Sequence, residues 1–227
     1  MGDRGAWCVV RRSSVSGWLI ILGLVCAVVG YFGPWVPHKT AALTVTGFEL
    51  AEFAKFFPQV QGGTVSVVRA LFYTPLVTAA VLLALRTGRS IIRPVRLVGP
   101  PVTAVILLVV LLPYPVVDTV RQALATRSPV RLDPQHTGQL RLVAVGVALA
   151  LLALPGRRLS RRVWGGLVAL LALGGAVPSL WQFAILRPLV VALYDKPFDL
   201  GWGLVACVAG FALLLISGVL VSASPRS

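Results

Sequence analysis

Apolar residues in this chain come in long runs broken by short polar and arginine-rich stretches, and the runs are of membrane-crossing length. A hydrocarbon core about 30 Å thick is crossed by roughly 20 residues of a helix that rises about 1.5 Å per residue. Six stretches qualify: residues 17–36, 65–85, 97–117, 140–154, 163–183 and 200–221. They predict an all-α, polytopic membrane protein in which residues 17–222 form one six-helix domain between a tail at 1–16 and another at 223–227. The fourth stretch is short and ends at Pro155. It gains length if Arg141 snorkels outward. Were it only interfacial, the count would be five and the C-terminus would change sides. Arg69 falls in the first turns of the second stretch, where its stem also reaches the headgroups.

Charge supplies the orientation, because lysine and arginine beside short loops stay cytoplasmic. Six spans divide the loops into two sets. One set carries Arg4, Arg11, Arg12, Arg86, Arg89, Arg93, Arg96, Arg157, Arg158, Arg161, Arg162 and Arg226 against the single acid Asp3. The other spreads Lys39, Lys55, Arg69, Arg121, Arg127, Arg131, Arg141, Arg187 and Lys196 over longer segments with Glu49, Glu52, Asp118, Asp133, Asp195 and Asp199. The first set is therefore expected inside, which gives three in-out-in hairpins with both termini in the cytoplasm of a cell membrane. A cleaved signal peptide is disfavoured, since 17–36 exceeds a typical signal core and no convincing cleavage site follows it.

The outer connections are long and proline-marked. Pro34 and Pro37, Pro113 and Pro115, and Pro178 with Pro188 fall near the ends of the outward spans, where proline is expected to break or bend the helix. Between 47 and 57, Leu50, Phe53 and Phe57 oppose Glu49, Glu52 and Lys55; further on, Val117, Val120 and Leu124 oppose Asp118, Arg121 and Gln122. Both segments read as short helices lying in the outer headgroup layer. The third connection, 189–194, is shorter and apolar enough to dip into the membrane. Tyr31, Trp35, Tyr73, Tyr114, Trp181, Tyr194 and Trp202 near outer ends, with Trp7, Trp18 and Trp164 near inner ones, suggest an aromatic belt. Gly165-Gly166, Gly174-Gly175 and Gly201 with Gly203 would let helices approach closely.

Composition agrees: 57% apolar, 12% charged and a mean hydropathy of +0.89 do not fit a water-soluble chain. The net charge of +14 would suggest nucleic acid in a soluble protein, but cations flanking spans are explained by anionic headgroups, so lipids and not nucleic acid are the expected partners. Cys8, Cys26 and Cys207 form no disulfide framework. Arginine far outnumbers lysine, a bias that matches a GC-rich bacterial genome.

No acidic or basic side chain falls near a predicted midplane and no phosphate-binding loop occurs, which argues against an ion-coupled transporter acting alone and against nucleotide hydrolysis. The one cluster worth naming is His38, Glu49, Glu52 and His136 on the outer face, with Asp118 and Asp133 nearby; a histidine and two carboxylates three residues apart have the donor types for a divalent metal. Without a ligand motif they read as solvated partners of Lys39, Lys55, Arg121 and Arg131, so no catalytic residue, metal or cofactor is assigned. Asp195, Lys196 and Asp199 read as turn and capping residues. The chain is expected to be a noncatalytic accessory or scaffold component of a membrane complex, bound to another membrane protein or to itself. The alternatives are a permease or channel-like subunit for a small or lipidic substrate, and a membrane enzyme acting on lipid-linked substrates at the outer face.

The topology predicts that reporters fused after Gly62, Gly138 and Pro197 read outside and those after Gly88, Arg158 and Ser227 read inside. A cytoplasmic signal at Gly138 would sink the three-hairpin arrangement.

Overall fold

A computed structural model describes residues 4–37, 44–127, 129, 133–154, 159–194 and 199–223, with side chains from Gly17 onward. The chain is all-α apart from one two-residue pairing of strands. In order it forms α1 (Arg4–Phe32), β1 (Pro34–Val36), β2 (Val45–Thr46), α2 (Leu50–Phe53), a 3-10 turn, α3 (Pro58–Gln61), a second 3-10 turn (Arg69–Tyr73), α4 (Thr74–Gly88), α5 (Arg93–Leu111), α6 (Tyr114–Thr126), α7 (Pro134–Leu152), α8 (Arg161–Tyr194) and α9 (Trp202–Ser222). Among the described residues four helical stretches are long and apolar enough to cross a membrane: Arg69–Gly88, Arg93–Leu111, Arg161–Tyr194 and Trp202–Ser222. They correspond to the second, third, fifth and sixth expected spans and are consistent with a membrane protein.

The remaining two expected spans differ from the sequence reading. The apolar part of α1 is the shorter stretch Gly17–Phe32, because residues 34–36 leave the helix and pair antiparallel with Val45–Thr46. Proline at 34 cannot donate to a helix, and its neighbours find their partners in β2 instead. The fourth, expected at 140–154, begins six residues earlier at Pro134; its first turns hold Gln135, His136, Gln139 and Arg141, and α7 is not among the four qualifying helices.

The chain divides into two compact units, residues 1–79 with 158–227, and residues 80–157. In the first, α9 lies between α1 and α8 and packs on both. Against α1 almost no side chain intervenes. A Cβ on Gly30 would lie 2.2 Å from the backbone nitrogen of Cys207, one on Gly203 2.4 Å from the carbonyl carbon of Gly33, and one on Gly210 2.3 Å from the nitrogen of Ala27. Gly30 meets residues 203–207 while Ala27 meets Gly210, so α1 and α9 run antiparallel. Gly165 of α8 approaches the Gly218 carbonyl in the same manner, which sets α8 antiparallel to α9 as well. Small residues permit this because nothing beyond Cα has to be accommodated.

In the second unit α5 packs on α7. α5 buries Thr103, Ala104, Leu107 and Leu111, and α7 buries Val143, Gly146 and Ala150, continued by its C-cap Ala153, at three- and four-residue spacing. Gln139 of α7 donates its side-chain amide to the Leu111 carbonyl at 2.7 Å, while the other end of α7 meets α4 where a Cβ on Gly88 would lie 2.2 Å from the Ala153 carbonyl oxygen. α5 stops at Leu111 because Leu112 and Pro113 are extended, and α6 begins directly after them.

The prolines of α8 correct another expectation. The helix does not end at Pro178 or Pro188 but continues for 34 residues through both, so residues 189–194 are its last turns and not a separate connection. Near Pro178 the Gly175 carbonyl accepts from the Thr74 hydroxyl of α4 at 3.1 Å and from the Ser179 hydroxyl at 3.2 Å. The Thr74 hydroxyl thus ties the start of α4 to the α8 backbone one turn ahead of Pro178.

Candidate functional site

The sequence singled out the segment after α1, and the fold builds that region tightly. Trp35 of β1 donates its indole N–H to the Gly30 carbonyl at 3.1 Å, and its own carbonyl accepts from the Gly201 backbone at 3.0 Å just ahead of α9. Tyr31 stands edge-on to Phe32, Trp35 and Phe48, with ring centroids 5.3, 6.5 and 6.5 Å away; Trp35 meets Phe183 at 5.6 Å and Phe48 meets Tyr73 at 5.7 Å. Such edge-to-face pairs favour the quadrupoles of the rings. Tyr31, Trp35 and Tyr73 are therefore buried core residues and not members of an aromatic belt, and Trp164 is buried too, whereas Trp18, Tyr114, Trp181 and Trp202 are exposed as a belt requires. Trp7 lies outside the residues whose side chains are described. The Tyr31 hydroxyl is buried and meets no hydrogen-bond partner among the described residues.

The carboxylates next to this nest are already engaged. Glu49 accepts from the Thr46 backbone N–H at 2.9 Å and from the Thr46 hydroxyl at 3.0 Å, while the Glu49 N–H reaches back to that hydroxyl oxygen at 3.3 Å. This reciprocal Thr46/Glu49 pairing has the bonding of a capping box and closes the turn directly ahead of α2, whose N-cap is Glu49 itself. Its signature, threonine three residues before glutamate and ahead of an apolar run, stands in the sequence and is the signal the metal-ligand reading passed over. Glu52 instead forms an ion pair with Lys55, both about half exposed, and the Lys55 ammonium lies 5.5 Å from the centre of the Phe56 ring. Leu50 and Phe57, expected to face the headgroup layer together with Phe53, are instead buried in the protein with Ala51 and Ala54, while Phe53 is half-buried. Glu49 and Glu52 thus stabilise a short segment whose apolar side is packed.

His38 lies outside the described residues. His136 belongs to the second unit, in the first turn of α7, where Asp133 is the N-cap: its carboxylate accepts from the Gln135 backbone and side-chain amide at 2.9 and 2.7 Å. Asp118 accepts from the Gln122 side chain one turn along α6. Asp195 and Lys196 lie outside the described residues, and Asp199 is exposed. Among the described residues no three histidine, cysteine or acidic side chains gather as metal ligands would.

Polar side chains buried between helices are likewise turned to backbone. Gln182 of α8 accepts from the Val68 N–H at 2.9 Å, where the chain enters the turn before α4. Thr78 donates to the Thr74 carbonyl, Thr103 to Gly99, and Ser179 to Ala176. Sequence reading did not single out Gln182. An uncharged amide inside an apolar helix carries no pattern that reveals its partner 114 residues away.

The chain matches no family model, no curated protein and no solved structure.

If Glu49 acts as the capping partner, Glu49→Ala lowers stability by about 1 kcal/mol in thermal unfolding of the detergent-solubilised protein, and Glu49→Gln by less. Glu52→Ala, which breaks only an exposed pair, shifts it by no more than about 0.5 kcal/mol. Equal, chelator-sensitive losses in both variants would instead mark a metal site.

Proposed function

We propose that this chain is a noncatalytic accessory or scaffold component of a cell-membrane complex, crossing the bilayer six times with both termini in the cytoplasm. The observation that carries the functional part is how the buried polar groups are used. Thr74, Thr78, Thr103, Ser179 and Gln182 each bond to the backbone of their own or an adjacent helix. A polar group already bonded to backbone gives up that bond, at a cost of about 1–3 kcal/mol if it is left unmade in the interior, before it can serve a passing solute or a reaction. Its role is to hold helices in register. Glu49 and Asp133 are similarly occupied as caps.

The helix directions support six crossings. Alternating spans must pack antiparallel when they are consecutive or an odd number apart, and α1 with α9, α8 with α9, and α5 with α7 all do so within their own units. The entry to α4 also runs against α8, since Val68 meets Gln182 while Thr74 meets Gly175. The arginine asymmetry then sets the inside. Retaining α7 as a crossing keeps the turn after it on the same side as the Arg86–Arg96 turn, as that asymmetry requires.

Purification of the tagged chain at native expression into nanodiscs, with mass spectrometry of what stays bound, tests the functional reading. A membrane protein retained in stoichiometric amount, or a defined oligomer of the chain, is expected. A monomeric chain that retains a small molecule and moves or converts it would contradict it in favour of a permease or an enzyme.

A further inference from the structure

We infer that the turn between α4 and α5, with the outward face of α5, is a binding site for an anionic diacyl phospholipid that remains attached to the folded protein. The turn carries Arg86, Arg89, Arg93 and Arg96 within eleven residues, and the chain has no acidic residue anywhere between Glu52 and Asp118. Among the described residues no acid is joined to Arg86, Arg93 or Arg96. The only acids of this unit, Asp118 and Asp133, lie beyond the opposite end of α5, whose 19 residues span about 28 Å at the usual rise. That separation is several screening lengths, so neither carboxylate neutralises the cluster.

The arginines are not placed to stabilise their own helices. Arg86 sits in the last turn of α4, where a cation is favourable, but Arg93 and Arg96 occupy the first turn of α5, where the helix dipole opposes positive charge. The unit thus offers Arg86, Arg93 and Arg96 no nearby carboxylate, which leaves their charge available to an anion from outside.

The second half of the argument is apolar. Between the arginines, Ile91 and Ile92 are 86% and 61% exposed. From there Val95, Val98, Val102, Val105 and Val109, all exposed, follow one another at three- and four-residue spacing along a single face of α5. A dense positive end continuous with a straight apolar stripe complements a phosphate headgroup carrying acyl chains. A free phosphate would use only the first part, and a neutral lipid only the second. The charge selects an anionic lipid over either.

The test uses the full-length purified chain, stripped of lipid in mild detergent and offered phosphatidylglycerol or phosphatidylcholine of the same acyl composition at about 0.15 M salt, with retained lipid counted by native mass spectrometry. Retention of phosphatidylglycerol at least tenfold above phosphatidylcholine is expected. It should be lost in R86Q/R89Q/R93Q/R96Q and kept in R11Q/R12Q/R161Q/R162Q, which removes the same charge elsewhere. V98S/V102S/V105S keeps all four arginines and should still lose most of the preference, so the proposal stays exposed if the quadruple variant fails to assemble. Equal retention of the two lipids, equal loss in both four-arginine variants, an unchanged preference in the valine variant, or displacement by inorganic phosphate would each overturn it.

Discussion

Everything in the larger unit depends on helices α1 and α9 touching backbone to backbone. Inside a bilayer there is little hydrophobic drive to bring two apolar helices together, because lipid tails are as apolar as leucine. What remains is dispersion and weak Cα–H contacts to carbonyls, both of which need atoms at contact distance. Gly30 against Cys207 and Gly203 against Gly33 provide it, since even a methyl group at either glycine would overlap the opposing main chain. Farther along, α9 repeats the arrangement toward α8 at Gly218 and Gly165. One helix therefore registers two others. Its first residues then hold β1 through the bond from Gly201 to Trp35, which seats the tryptophan in its aromatic nest.

Among the described residues the buried hydroxyls and amides of Thr74, Thr78, Thr103, Ser179 and Gln182 bond to backbone, and those of Thr74 and Gln182 tie α8 to the segment that leads into α4. Of the carboxylates named as metal-ligand types, Glu49 and Asp133 accept backbone N–H groups ahead of α2 and α7, Glu52 pairs with Lys55 and Asp118 accepts from Gln122. What the chain presents outward is cationic turns and long valine and leucine faces, surfaces suited to lipid and to other helices.

Much of the helical layout was legible in the sequence because hydrophobic length depends on nothing but local composition. The spans expected at 97–117 and 200–221 have counterparts in α5 and α9. What escaped depended on residues far apart in the chain. Residues 189–194 read as a separate connection after Pro188, yet they are the last turns of α8. Tyr31, Trp35 and Tyr73 have the composition of a belt, and only their mutual packing buries them. Of the glycines flagged in pairs, Gly165 and Gly175 are in close contact while Gly166 and Gly174 face open space, because adjacent residues on a helix point about 100° apart. The caps at Thr46/Glu49 and Asp133 were local and readable.

The close α1–α9 contact is tested most directly by cross-linking in native membranes. In a chain with Cys8 and Cys26 changed to serine, Ala27→Cys is oxidised against native Cys207, one helical turn from the Gly210 that Ala27 touches. The account predicts an intrachain disulfide, seen as a mobility shift reversed by reductant, and none for Val29→Cys on the exposed face of α1. No bridge at position 27, or equal bridging at 27 and 29, would contradict it.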